Sequence, residues 1–237
     1  MVRGREVAFD WDNKHLCLVK NVIMPRYFVI YKPFGMLSQF SGERSTLKSL
    51  SDFPKEVYPV GRLDKDSEGM LLITDDKSLN HYLLDPQYEH ARTYLAQVEG
   101  EPQEEALEKL AAGVDITVDG KNHHTRPAEV LLKNNPPELP ERDPPIRYRK
   151  TVPDAWLELS ITEGKNRQVR KMTAAVGLPT LRLVRWGMEN LTIEGFAVGE
   201  VREYSQFDLY KLLEIKKLPR KYSNRPGQSR TSRFNKK

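Results

Sequence analysis

The stretch 61–71, GRLDKDSEGML, offers the clearest chemistry in the chain. It sets one carboxylate, Asp64, two residues after Arg62, between an apolar approach (Val57, Tyr58, Val60) and the unbroken apolar run Met70-Leu71-Leu72-Ile73. An acid held in a turn between two buried strands is fixed in place yet open to substrate, which is what a single catalytic nucleophile requires. Asp64 is therefore the candidate nucleophile. Three further pieces join it: an aromatic on a strand, Tyr94 in Arg92-Thr93-Tyr94-Leu95; a basic helix start at 163–172, EGKNRQVRKM, carrying Lys165, Arg167 and Arg170; and Tyr31-Lys32-Pro33-Phe34-Gly35, a strand leaving into a Pro-Gly turn.

The elements that must position these residues alternate in type. Residues 27–31 (YFVIY) and 70–74 read as buried strands, whereas 93–98 and 156–161 alternate apolar with polar in the period of half-buried strands. Helices are expected over 103–112 (after Pro102, with Gly113 as stop), 77–84 (stopped before Pro86) and 166–176 (with Gly177 as stop). Residues 134–145 hold five prolines in twelve and no apolar period, so they read as a crossing loop. The fold class is α+β.

Composition narrows the function classes. At 237 residues and 38% apolar content the chain can bury a sizeable core. No window reaches the ~18 uninterrupted apolar residues of a membrane span, and the start lacks the apolar run of a signal peptide, so a cytoplasmic protein is expected. The single Cys17 leaves no internal disulfide and no thiolate metal cluster. His123-His124, in a polar turn, reads as an exposed loop pair, and no metal site is expected. Of the 38 Lys and Arg, nine fall in residues 216–237, which contain no acid, leaving 29 bases against 33 acids in the body, a net of −4. Such a tail is expected to be disordered and to attract polyanions. Within the body, basic residues cluster at Arg142-Arg147-Arg149-Lys150 and at Lys165-Arg167-Arg170-Lys171-Arg182-Arg185, as a face following a phosphate backbone requires.

Two spacings imitate other sites. Asp64, Asp66, Glu68, Gly69 and Asp75 fall on calcium-loop positions, but the flanks are strand-like where that loop needs helices. Glu163-Gly164-Lys165-Asn166 looks like the end of a phosphate-binding loop, yet Asn166 replaces the hydroxyl that would hold magnesium.

Taken together, the segments 31–36, 61–71, 92–98, 144–150 and 163–174, with Pro179-Thr180-Leu181-Arg182-Leu183, resemble the pseudouridine synthases, and within them the RsuA-like family that modifies ribosomal RNA. The resemblance runs from about residue 27 to about 203. It implies a pseudouridine synthase fold, a central mixed, mostly antiparallel sheet with flanking helices and a basic cleft. Many relatives carry an S4-type RNA-binding domain first; here 1–26 is read as a short extension, 27–215 as the catalytic domain and 216–237 as the basic tail.

The implied reaction isomerises a uridine of large-subunit (23S) ribosomal RNA to pseudouridine: the base is detached at N1–C1′, turned, and rejoined through C5. It is redox neutral and consumes no water, so neither cofactor nor metal is implied. Asp64 is the nucleophile, acting at the ribose C1′ or at the base. A carboxylate enclosed with a flipped base needs a fixed cation beside it to stay ionised, and Arg170 matches the family's basic residue. Tyr94 matches the tyrosine that lies against the base, and Arg62 is expected to fill the space the flipped uridine leaves. Lys32, Arg147, Arg149, Lys165, Arg167, Arg182 and Arg185 are expected RNA contacts, and the protein is expected to act as a monomer. The alternative from another class is a non-catalytic ribosome-assembly factor that binds ribosomal RNA; a hydrolase using Asp64 would need a second carboxylate to activate water.

Overall fold

In the computed structural model, residues 24–42, 45–146 and 152–219 are described. The extension read at 1–26 and the tail read at 216–237 therefore lie outside the described residues, save for 24–26 and 216–219. In chain order the elements are β1 (Tyr27–Lys32), β2 (Tyr58–Pro59), β3 (Glu68–Thr74), α1 (Lys77–Leu84), β4 (Arg92–Glu99), α2 (Glu104–Ala112), β5 (Asp115–Val118), β6 (Lys121–His124), β7 (Glu129–Lys133), β8 (Asp154–Ile161), α3 (Gln168–Ala175), β9 (Thr180–Met188), β10 (Leu191–Thr192), β11 (Val201–Tyr204) and α4 (Gln206–Leu212).

Strands β1 and β3 are buried along their whole lengths, which is why they read as apolar runs rather than alternations. Their period of two shows instead in where the side chains go. Tyr27, Val29 and Tyr31 pack with α1 and α4 residues Leu79, Leu83 and Leu209, while Phe28 and Ile30 face the other way against Leu47, Val57 and Leu63. A third cluster fills the space between β4, β8 and β9 and helices α2 and α3, with Leu110, Leu157, Leu159 and Met172 at or near zero exposure. Each such buried side chain contributes roughly 1.5–3 kcal/mol relative to an exposed one.

The main sheet runs β11-β1-β3-β9-β4-β8-β7, with β2 on β3 and β10 on β9, and β5-β6 forms a separate hairpin. Among the described residues every pairing between these strands is antiparallel except β3 with β9, which is parallel and spans only Glu68↔Val184 and Gly69↔Arg185. The sheet is thus two antiparallel halves joined at one short seam. Gly69 makes the seam possible: it sits at φ +104, and a Cβ there would lie 2.3 Å from the Arg185 carbonyl oxygen.

Strand β9 and helix α4 have no counterpart in the sequence reading. In TLRLVRWGM, Arg182 and Arg185 are as buried as Leu183 and Val184, so the strand has no apolar period to betray it. Helix α3 begins at Gln168, later than the expected 166, because Arg167 is left-handed at φ 54 and cannot be helical. The crossing loop is a loop: no element lies between β7 and β8 among the described residues.

Candidate active site

Asp64 lies in the connection 60–67 between β2 and β3, and this connection is pinned at several points. Val60 donates its N–H to Leu72 O at 2.8 Å, and Ser67 N–H reaches Asp64 O at 3.1 Å. The Ser38 hydroxyl bonds both Leu63 O (2.7 Å) and Leu63 N–H (3.1 Å), and Gly35 N–H donates to Lys65 O at 2.8 Å. The Pro-Gly turn after β1 is therefore the bracket that holds the Asp64 loop.

Lys32 organises that bracket. Its side chain is fully buried, and Nζ donates to Pro33 O (2.9 Å) and Met36 O (2.8 Å). Burial pushes its pKa down to about 8, with Glu68, Asp66 and Asp64 pulling it back upward. Contrary to the sequence reading, Lys32 has no surface to offer RNA: it holds the turn from inside.

The carboxylates of the loop meet two arginines of the 163–172 segment. Arg167 forks onto Asp66 with two hydrogen bonds of 2.8 Å and stands 3.7 Å from Asp64 Oδ2. Arg170 donates to Asp66 O (2.6 Å) and Thr180 O (3.2 Å), with Nε 3.5 Å from Asp66 Oδ2. Thus, among the described residues, the cation in ion-pair range of Asp64 is Arg167, whereas Arg170 braces the turn one step away. Asp66 is held below the usual carboxylate range, first by the Arg167 hydrogen bonds and then by the charges of Arg170 and Arg167. The Glu163 carboxylate takes no part in this. It binds His123 Nε2 (3.0 Å), Arg126 N–H (2.9 Å) and the Gln168 amide (2.8 Å), tying the β5-β6 hairpin to the start of α3.

Asp64, Arg62, Tyr94, Lys165, Arg167 and Arg185 line one cleft of about 850 Å³ over the β3-β9 seam. Beyond the Asp64 loop a second hollow, about 550 Å³, is lined by Phe34, Leu37, Ser38 and Gln39 and shares Arg62, Asp64 and Arg167 with the first. Arg62, Lys165 and Arg167 are exposed at the rim. Two expected RNA contacts are misplaced for that role. Arg182 is 7% exposed and locked on buried Glu68 by bonds of 2.9 and 2.8 Å, with a third to Pro140 O; Arg185 is 3% exposed beneath the cleft. Neither can follow a phosphate backbone. Arg147 and Arg149 lie outside the described residues.

The sequence reading missed part of the wall. Arg92, His90, His123 and Arg126 all line the cleft. Arg92 was within reach of the strand period, because it stands two residues before Tyr94 on an alternating strand. His123 and His124 are on strand β6 rather than in a loop, each held by its own carboxylate, Glu163 and Asp115. Among the described residues there is no group of three or more His, Cys, Asp or Glu placed to hold a metal ion. The calcium-loop spacing is dissolved by β3 itself, whose strand occupies Glu68–Thr74.

Residues 26–175 match the family RNA pseudouridylate synthase. Ribosomal large subunit pseudouridine synthase E of Xanthomonas axonopodis pv. citri is 54% identical over 172 residues, covering 71% of this chain and 88% of that protein. The synthase of the same name from Vibrio vulnificus is 44% identical over 198 residues, covering 83% and 80%. A solved pseudouridylate synthase superposes with a TM-score of 0.64 at 28% identity, covering 80% of this chain and 74% of the other. The chain belongs to the RNA pseudouridine synthase family. Its α+β fold, with a mixed and mostly antiparallel sheet, is the one the sequence resemblance implied.

Proposed function

We propose that this protein isomerises one uridine of large-subunit ribosomal RNA to pseudouridine, with Asp64 as the nucleophile. The observation that carries the reading is that Asp64 and Tyr94, distant in sequence, line one cleft in a chain of this family. The large-subunit substrate follows from relatives whose names state it. In this reading Arg62, Lys165 and Arg167 meet phosphates at the rim, where exposed cations displace counterions. Tyr94 lies against the turned-out base, its ring stacking and its hydroxyl placed to help remove the C5 proton. Arg170 and Asp66 keep the loop in register, so Arg170 positions Asp64 through the turn. The enzyme acts as a monomer in the cytoplasm. Among the described residues no helix is long and apolar enough to cross a membrane.

The test is Asp64→Asn, which keeps the side chain's shape and removes the nucleophile. Pseudouridine formation in large-subunit RNA should vanish while RNA affinity stays within a few fold. A non-catalytic assembly factor would instead leave the pseudouridine map of the RNA unchanged when the protein is deleted from cells, and that result would sink the enzymatic reading.

A further inference from the structure

Arg185 is a buried arginine of the cleft whose hydrogen bonding is unfinished among the described residues. Its Nε donates to Met70 O at 2.6 Å, but Nη2 is buried and has no protein partner among the described residues. A buried guanidinium donor left unmade is costly, so such a group is retained where a ligand completes it. Arg185 lines the same cleft as Asp64 and Tyr94. It is also the cross-strand partner of Tyr94 in the β4-β9 pairing, so the two side chains leave the same face of the sheet as neighbours. Beside it Arg92, 8% exposed, is engaged by Leu83 O and His90 O, and neither arginine is ion-paired with a carboxylate among the described residues.

We propose that Arg185 is a catalytic and specificity-determining residue whose free Nη2 donates to a ring carbonyl oxygen of the turned-out uracil. The proposal rests on the isomerisation reading. Its chemistry follows from the symmetry of the base: turning uracil about its N3–C6 axis exchanges N1 with C5 and, with them, O2 with O4. A donor fixed in the wall meets a carbonyl oxygen before the turn and another after it. Cytosine would present its amino group in one of the two orientations, donor against donor. The same contact serves the bond-breaking step. When Asp64 attacks the ribose and N1–C1′ opens, the electron pair goes to the ring and is spread over O2 and O4; when Asp64 adds to the base at C6, the charge of the addition falls on O4 and that of the opened N1 on O2, so a carbonyl oxygen carries it on either route. A buried cation already in position stabilises that charge without reorganising. Arg92 adds positive potential from the same floor.

The experiment compares wild type, Arg185→Gln and Arg185→Lys on a short substrate RNA carrying uridine, 2-thiouridine or 4-thiouridine at the target, sulfur being the weaker acceptor. Arg185→Gln should lower kcat by ~10²- to 10³-fold, the loss typical of one oxyanion donor. RNA affinity and its salt dependence should stay unchanged, and Arg185→Lys should recover part of the rate. Wild type should lose about tenfold on at least one thio-substrate, the scale of one hydrogen bond, and Arg185→Gln nothing further. Equal wild-type rates on all three RNAs would overturn the proposal even if neither variant folds. So would a defect confined to affinity with a flatter salt dependence, which marks a phosphate contact, or a thio-effect that persists undiminished in Arg185→Gln. If wild type makes no pseudouridine on the uridine RNA, the enzymatic reading fails and this proposal with it.

Discussion

Two arginine–carboxylate pairs flank the seam of the sheet, and they do opposite work. At the mouth of the cleft, Arg167 and Asp66 bond through two contacts of 2.8 Å with side chains 42% and 39% exposed. Buried at the seam, Arg182 and Glu68 make contacts of 2.9 and 2.8 Å with side chains 8% and 2% exposed. The geometry is nearly the same; the solvent is not. Water screens the outer pair, so it can open and lend Arg167 to a phosphate or to Asp64 at little cost. The inner pair is desolvated, and parting it would strand a charge in a medium that cannot hydrate it. Similar residues two positions apart on the acidic side thus divide between a hydrated pair at the rim and a buried pair at the seam.

The largest effect expected is at the buried pair. Arg182→Ala should remove about 3–5 kcal/mol of stability, the cost of an uncompensated buried charge, read by denaturant unfolding. The double change Arg182→Leu with Glu68→Met should be far milder, since it leaves no orphan. A single-variant loss below about 1 kcal/mol would erase the distinction between the two pairs.

Lys32 sharpens the comparison through pH. Its folded pKa is about 8 against an ordinary 10.5, so between these values the unfolded chain binds more protons than the folded one. Stability relative to a Lys32→Met variant should therefore rise as pH climbs from about 8 to about 10.5, by on the order of 3 kcal/mol in all. A difference that stays level across that window would mean the lysine is hydrated in the folded state.

The smallest stability change is expected at the mouth. Arg167→Ala should cost no more than about 1 kcal/mol of folding. It should instead weaken RNA binding and lower the slope of log affinity against log salt by roughly 0.7–0.9. A large stability loss with an unchanged slope would move Arg167 to the structural side.

Much of this was legible in the chain. The buried strands at β1 and β3, the alternating β4 and β8 and the three helices α1 to α3 follow from local period and stop signals. The Asp64 turn was readable because apolar runs on both sides leave a polar interval. Strand β9 was not, because two of its buried residues are arginines whose burial depends on Glu68 and Met70 across the seam. The β5-β6 hairpin carrying His123 escaped because a short polar strand has no core face to reveal it.

By itself the sequence determined the family, the α+β class and the candidate for the reactive acid, because these rest on residue types and on spacings of a few positions. Which arginine faces water was decided by the tertiary structure alone. Arg167, Arg170, Arg182 and Arg185 are the same side chain in the sequence, and one is exposed at the rim, one braces the Asp66 turn, one is locked in a buried pair and one waits under the cleft with a free donor. Burial sets the dielectric around each guanidinium, and the dielectric fixes whether its charge is screened by water or must be answered by a partner.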